Sequence, residues 1–510
     1  MSATHQVLLA GGGLGYQIPY SLRFRASNSA YLSRTFGSPT SSSIWTFSAW
    51  VKRGLLASTR YLLGASTTTN FGFNSSDQLT LTLNGVTACT STAVFRDPTA
   101  WMHVVYQQNG SAQTIYVNGS SVATGTTAAA VFNTAIAHQI GAANTTNFSD
   151  GYMAEVNFID GQALTPSSFG QTTGSVWVPK KYSGTYGANG FYLKFNDATT
   201  TTTIGYDTSG NSNNFTTSGI SVTSGVTFDQ MTDTPTTNFS TMNPIASHTS
   251  VGTFAAANMQ WSYGAGAYYP IIVGSAAINS KSYWEVTVTS VGGAAYIGII
   301  LASQQIKGTE GTNNTLSSAG CWSYDNTGKK NNNNAPGSGT AYGSTYTTGD
   351  VIGVTYDPST TTLTFYKNNV SQGSAYTNVT SGDVYAFVSG ISGADFAVNF
   401  GQRPFAYTPP SGFKALNTQN VTSTAVTLSG SFTGNAAADG PFIWANGNPA
   451  TLTINGNGVT FGTDADKTAG GFKLRTSSAS YNAAGTNNWT ATAGNRFVQS
   501  KRPNNGQVNP

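Results

Sequence analysis

Glutamate, a carboxylic side chain able to act as general acid or base, occurs three times in this chain, as Glu155, Glu285 and Glu310. Glycoside hydrolysis needs two carboxyl groups about 5–10 Å apart, one as acid and one as nucleophile or base. The phrase Glu155-Val156-Asn157-Phe158-Ile159-Asp160 supplies two along one strand. Their odd offset puts them on opposite faces, because side chains alternate along a strand. Glu285 stands alone in its strand, which leaves loop aspartates such as Asp325, Asp350 and Asp357 as the remaining way to assemble a pair. No Gly-x-Ser-x-Gly elbow sits in a strand-to-helix context, so nothing supports a serine nucleophile. A zinc site needs three or four ligands at short spacing. His5, His103, His138 and His248 are isolated, and Cys89 and Cys321 lie far apart. Oxygen-bearing loops at Ser149-Asp150-Gly151 and Asp464-Ala465-Asp466 lack the carboxylate density of a calcium site and read as Asx turns. The sequence therefore assigns no catalytic residue, no metal and no cofactor, and the chain is not expected to be an enzyme.

Aromatic loops are the stronger signal. Tyr263, Tyr268 and Tyr269 cluster in WSYGAGAYYP. Trp322 and Tyr324 precede Asp325, Asn326 and a Lys-Lys-Asn-Asn-Asn-Asn run, with Tyr342 and Tyr346 following. An aromatic ring with amides and a carboxylate close by suits a sugar ring. Trp322, Tyr324, Asp325, Tyr342, Tyr346, Tyr268 and Tyr269 are accordingly the candidate ligand-binding residues. The competing reading places Trp322 in a core strand and Tyr342 and Tyr346 in loop packing.

These residues must be positioned by β-structure. Charged residues make up 8% of the 510, against about 25% in an ordinary soluble protein, while aromatics reach 12%. Charge-driven disorder and a helical bundle are both excluded, the second because helix formers are scarce. A net charge of +4 with no basic run longer than a pair excludes nucleic-acid binding. No segment has the 18 apolar residues of a membrane span, and Val7-Leu8-Leu9-Ala10, with no basic start, does not make a secretory signal. The two cysteines are expected as separate thiols.

Along the chain, residues 1–20 read as an arm. Short β-rich runs then alternate with Asn84-Gly85, Asn109-Gly110 and Asn118-Gly119, turns that match strand twist. The succession WTFSAWVKRG, LTLTLNG, WMHVVYQQNGSAQTIYVNGSSVA and IGAANTTNFSDGYMAEVNFIDGQALTPSSFG resembles the laminin-G-like branch of the concanavalin A-like lectin/glucanase sandwiches, over residues 21–200. Glucanases of that kind carry Glu-x-Asp-x-x-Glu, and here Asn157 stands where the Asp would be. Residues 201–249, rich in Thr, Ser, Asn and Gly, read as a linker. KSYWEVTVTS, AAYIGII, GDVIGVTYDPSTTTLTFYKNNV and DFAVNFGQ then resemble a SPRY domain, over residues 250–415. That resemblance implies binding through loops at one end of the sandwich. Residues 416–510 read as a small β-rich module with a hairpin around Asn455-Gly456-Asn457-Gly458.

The expected fold is all-β: tandem antiparallel sandwiches, a lectin-like jelly roll and a SPRY-like one, with a small C-terminal β module. Tandem lectin-like sandwiches on a low-charge chain look like a bacteriophage virion protein, such as a tail fibre, spike or capsid-attached fibre. The resemblance implies a homo-oligomer, a trimer by preference, on the virion surface after assembly in the host cytoplasm. Its arm would meet other virion proteins and its loops a host glycan or receptor, with no membrane insertion. A ligand-free decoration protein and a polysaccharide depolymerase are the alternatives.

Overall fold

A computed structural model describes residues 15–420, apart from 128–131, 174–175, 248–251, 267–268, 305–315, 317–318 and 381, and the backbone of eight strands within 426–500. Among these residues the regular structure is β-strand with short 3₁₀ turns, as the composition demands. Among the described residues no helix is long and apolar enough to cross a membrane. The two sandwiches form one compact unit, and the C-terminal strands belong to a second.

In the first sandwich, one sheet runs in the order Ser120–Gly125, Ala112–Val117, Trp101–Asn109, Ile44–Arg53, Gly151–Asp160, Ser21–Phe24, Gln230–Met231. Its partner sheet runs Thr216–Ser218, Tyr31–Thr35, Ala137–Ile140, Arg60–Ser66, Thr69–Phe73, Leu79–Leu83, Val86–Thr90. Between them lies a core that includes Phe24, Trp45, Phe47, Phe71, Tyr106 and Phe158. The hairpins expected at Asn84-Gly85 and Asn118-Gly119 form, with positive φ at both residues of each turn. That geometry is the type I′ turn, which asparagine and glycine accept at least cost.

The second sandwich pairs Thr253–Ala255, Gln260–Ser262, Asp395–Asn399, Ser282–Ser290, Val351–Asp357, Thr362–Lys367 and Val370–Tyr376 in one sheet. Ile272–Ala277, Val384–Ile391, Ala294–Leu301, Cys321–Asp325, Lys329–Asn331 and Thr340–Ala341 form the other. Trp261, Trp284, Trp322 and Phe365 fill its core. In the C-terminal unit, pairing of Thr453 with Gly458 and Ile454 with Asn457 makes the expected hairpin.

One expectation is corrected. Residues 201–249 are not a free linker. Thr216–Ser218 and Gln230–Met231 each extend a sheet of the first sandwich, and Asp229 and Asp233 are buried. Carboxylates in a polar segment have a reason to go inside when buried cations await them. Asp229 accepts from Arg23 Nε and Arg25 Nε, both at 2.9 Å, and Asp233 from Lys52 Nζ at 2.8 Å. The end of the arm is anchored: Ile18 is buried and both its backbone N–H and carbonyl bond the Thr236 hydroxyl. The arm's first fourteen residues lie outside those described.

The few charges are used inside. Among the described residues, fourteen charged side chains are buried, out of 23 basic and 19 acidic in the chain. They concentrate where the sandwiches meet. Arg23, Tyr152, Lys52 and Trp101 are cross-strand neighbours in one row on the outer face of the first sheet. Over that row lie residues 229–242 and 256–259. Trp101 Nε1 donates to Asp233 at 2.9 Å, and Tyr152 Oη to the Ala257 carbonyl at 3.0 Å. The Ala257 N–H donates to Asp150 at 2.9 Å. The two sandwiches therefore share a polar, fully enclosed seam.

Candidate functional site

The residues singled out in the aromatic loops do not form one site. Trp322, Tyr324 and Tyr346 are 3%, 0% and 3% exposed, so they are core. Alternation along Cys321–Asp325 turns Trp322 and Tyr324 inward, where Tyr324 meets Tyr346 and Phe365 with ring centroids 5.1 and 5.3 Å away. Tyr346 Oη donates within the sandwich, 2.8 Å from the Ala295 carbonyl. Asp325 is buried as well, and its oxygens accept from the Thr327 N–H and hydroxyl, the Lys329 N–H and Asn331 Nδ2. It closes the turn after its strand, so no carboxylate faces a ligand there.

Tyr342 is half-buried at the edge of this core, with its hydroxyl on the Gly373 carbonyl and the Lys330 ammonium 6.0 Å from its ring. Tyr269 is half-buried on the other face of the sheet, edge-on to Tyr296 at 5.5 Å. Tyr268 lies outside the described residues. The loop carboxylates are also engaged, Asp350 with Lys367 at 3.3 Å and Asp357 with Lys281 at 3.0 Å.

The oxygen-rich loop at residues 149–151 is accounted for: Asp150 is buried and accepts from the Ala26 and Ala257 backbone N–H groups. Asp464 lies outside the described residues, and of the side chain of Asp466 nothing is described. Cys89 and Cys321 are free and buried.

Another group of tyrosines does converge, around Glu155. The strand Gly151–Asp160 changes partner midway, pairing first with Ser21–Phe24 and then with Phe191–Leu193. Opposite it, Ala154 faces Trp50 while Asn157 faces Ser48, so Glu155 and Val156 share the space across from Ala49. This is a β-bulge, and Glu155 adopts φ +51°. A non-glycine residue in that region is strained by about 1–2 kcal/mol, a kind of cost found at functional positions. The bulge resets alternation, so Met153 and then Val156 and Phe158 point to the core while Glu155 turns outward.

Outside the sheet, Tyr16 Oη lies 2.9 Å from Glu155 Oε2, and Tyr192 Oη bonds Oε1. The two phenol oxygens are themselves 2.7 Å apart. Tyr186 stacks on Tyr192 at 6.3 Å, with its hydroxyl 3.0 Å from Asn157 Oδ1, and Tyr182 meets Tyr186 edge-on at 5.2 Å. The Lys194 ammonium lies 5.0 Å over the Tyr192 ring. Tyr16, Tyr182 and Tyr186 are half-buried around this group, with Lys194 and Lys181 in electrostatic reach of Glu155 and Gln162 Nε2 bonded to the Thr185 carbonyl.

Proton counting says what this group holds. If Glu155 is ionised, both phenol protons go to the carboxylate and the short Tyr16–Tyr192 contact has none. If Glu155 is protonated, a closed ring forms: Glu155 donates to Tyr16, Tyr16 to Tyr192, and Tyr192 back to Glu155. Burial pushes the Glu155 carboxyl above its ordinary range, against the opposing pull of the two tyrosine hydroxyls and of Lys194 and Lys181. Burial also pushes Tyr16 and Tyr192 upward, so both remain donors. Sequence reasoning met Glu155 only as half of an absent catalytic pair. Asp160 sits elsewhere, accepting from the Thr40, Ser41 and Asn189 N–H groups. The available signal was Tyr182, Tyr186 and Tyr192 close together in sequence.

Comparison with known proteins supports the two sandwiches as domains. Residues 26–170 match the concanavalin A-like lectin/glucanases superfamily, and residues 281–403 match the SPRY domain. The chain therefore contains one domain of each kind. A Drosophila melanogaster protein named "Ran-binding proteins 9/10 homolog" is 35% identical over 127 residues, which are 24% of this chain. This chain spans 13% of that relative's length. Among solved structures, the SPRY domain of human HERC1 is 17% identical, covering 31% of this chain and 96% of that one, with a TM-score of 0.26. A putative carbohydrate binding protein from Bacteroides ovatus is 17% identical, covering 40% of this chain and 58% of that one, with a TM-score of 0.30.

Proposed function

We propose that the chain is a binding and adhesion protein rather than an enzyme, and that its surface ligand is a glycan held on the tyrosine face around Glu155. The observation that carries this reading is that face itself: three half-buried rings beside amides and lysines, organised by a strained, fully hydrogen-bonded carboxyl. Aromatic rings offer an apolar plane to a sugar, and the polar rim fixes its orientation. A virion setting, as a fibre or capsid-attached decoration on the particle surface, accounts for the rest. A surface with few charges stays solvated with little dependence on salt, and the charges serve the interior. Weak sites gain from repetition, so a homotrimer docked on other virion proteins by its N-terminal arm is the assembly we propose.

A second reading concerns the SPRY-like half alone. The chain's 35% identity over 127 residues with a protein named for binding Ran, a length close to that of the SPRY match, favours a protein ligand for that half. Both readings are tested by binding the purified full-length chain to a glycan array and to intact cells of candidate hosts. Glycan binding that weakens at least tenfold in Tyr182→Ala and Tyr186→Ala supports the first. Cell binding that survives both substitutions and removal of surface glycan supports the second. Absence of either, in a correctly assembled sample, returns the chain to a decoration role, and shortening of a polysaccharide makes it a depolymerase.

A further inference from the structure

Lys52 ends inside the protein, against groups with which an amine can react. Its side chain and that of Asp233 are both 0% exposed. Lys52 Nζ donates to Asp233 Oδ2 at 2.8 Å, to Asn238 Oδ1 at 2.8 Å and to the Phe239 carbonyl at 3.0 Å. As an ammonium it is fully paired. Yet one acceptor belongs to a carboxamide, whose carbonyl carbon is an electrophile, and another to a carboxylate, which can carry protons. Among the described residues Lys52 is the one buried lysine, and no other lysine is bonded to both a carboxylate and a carboxamide.

Each of the three groups is held in place by others. Asn238 Nδ2 donates to the Thr99 carbonyl at 2.9 Å, which turns the amide oxygen toward the lysine. The flipped amide would set NH2 against ammonium and oxygen against oxygen. Asn238 is also fixed through its backbone: its N–H donates to the Thr418 hydroxyl at 3.1 Å, and its carbonyl accepts from the Thr418 N–H at 2.9 Å. Asp233 Oδ1 accepts from Trp101 Nε1 at 2.9 Å and from the Phe239 N–H at 3.3 Å, leaving Oδ2 for the lysine. The Tyr152 ring stands 5.8 Å from Nζ and, with Trp101, walls the group off from water. Reacting groups held in contact in a dry site escape most of the entropic barrier that they meet in solution, and their product is shielded from hydrolysis. Asn238 itself is half-buried, which leaves a way out for a small leaving group.

We propose that Lys52 and Asn238 join in an isopeptide bond, formed once within the folded chain, with Asp233 carrying the protons. The Lys52 ammonium passes a proton to Asp233 Oδ2, and rotation about Cε–Nζ turns the freed lone pair onto Asn238 Cγ. The Nζ–Cγ bond forms and the Cγ–Nδ2 bond breaks. Two protons from the lysine nitrogen travel in turn through Asp233 to the departing nitrogen, which leaves as ammonium. Asp233 ends as the carboxylate it began as, and nothing is oxidised or reduced. The new bond ties the strand Ile44–Arg53 to the segment that carries Asn238, which is itself held by Thr418 and, through Thr232, by Gln402. That segment then stays on the first sheet when heat or shear opens its surroundings.

The test is a peptide map of the folded full-length chain, digested with trypsin after denaturation and read by mass spectrometry. The expected result is a branched peptide joining Lys52 to Asn238, lighter than its two linear parts by one ammonia, with no cleavage after Lys52. The Asn-Gly turns can also shed ammonia by closing to succinimides, but they leave the chain unbranched, so the branch and not the mass loss is the readout. A folded Asn238→Ala variant is expected to lose the branch and regain cleavage after Lys52. Recovery of the Lys52 and Asn238 peptides in linear form from the folded parent chain overturns the proposal, as does a branch at Lys52 that persists in Asn238→Ala. Should that variant fail to fold, the map of the parent chain decides alone, because fragmentation of the branched peptide places the bond.

Discussion

Glu155 and its two phenols bear a prediction that depends only on protons. A carboxyl raised above its unfolded value stabilises the fold below that value, and the stabilisation is lost as pH rises through the folded pKa. Glu155→Gln keeps a neutral side chain at every pH, so it is expected to unfold later than the parent chain at pH 8 and about equally at pH 4. Denaturant titration at the two pH values measures this, and an equal gap at both contradicts the proton ring. The histidines run the other way. Trp177 Nε1 donates to His103 Nδ1 at 3.1 Å, and the Asn133 N–H donates to His138 Nε2 at 3.2 Å. Each ring must accept a proton donor and is thus held neutral. Burial lowers His103 to about 3 and His138 to about 4. Their contribution is complete above pH 6.5 and is lost as pH falls toward the folded values, at about 1.4 kcal/mol per unit for each histidine. His103→Gln is expected to flatten the acid limb of the stability profile, and an unchanged limb contradicts the assignment.

At the scale of elements, strands and turns were the readable part. Asn84-Gly85 and Asn118-Gly119 have one low-cost conformation, and the alternating runs beside them have one apolar face. That alternation also holds the correction to the aromatic loops, because Trp322 and Tyr324 share a parity and so share a face. Tyr324→Ala is expected to cost about 3–5 kcal/mol of stability through the cavity it leaves, as seen by chemical denaturation. A loss under 1 kcal/mol would mean the ring is not core. The bulge was not readable, since Glu155 is neither glycine nor asparagine and no local preference marks its φ of +51°. It follows from tertiary structure, where one strand passes from the partner Ser21–Phe24 to the partner Phe191–Leu193.

For the whole molecule, composition revealed how few charges there are and gave no hint of where they go. A Thr- and Asn-rich stretch carrying Asp229 and Asp233 looks like a linker until Arg23, Arg25 and Lys52 are placed on a sheet face that needs them. The seam they form is tight. A Cβ on Gly54 would stand 2.3 Å from Asp150 Oδ1 and 2.8 Å from Ala257 Cα. Gly54→Ala is therefore expected to loosen the sandwiches from one another, turning one calorimetric transition of the two-sandwich unit into two. A single transition at the parent Tm would show that the seam does not couple them.

Binding by the tyrosine face is the central claim, and a titration of the full-length chain with the best glycan from a host surface tests it most directly. The expected result is saturable binding, weakened at least tenfold by Tyr186→Ala while the variant keeps the parent Tm within about 2 °C. Undiminished glycan binding by a folded Tyr182→Ala/Tyr186→Ala double variant would contradict it.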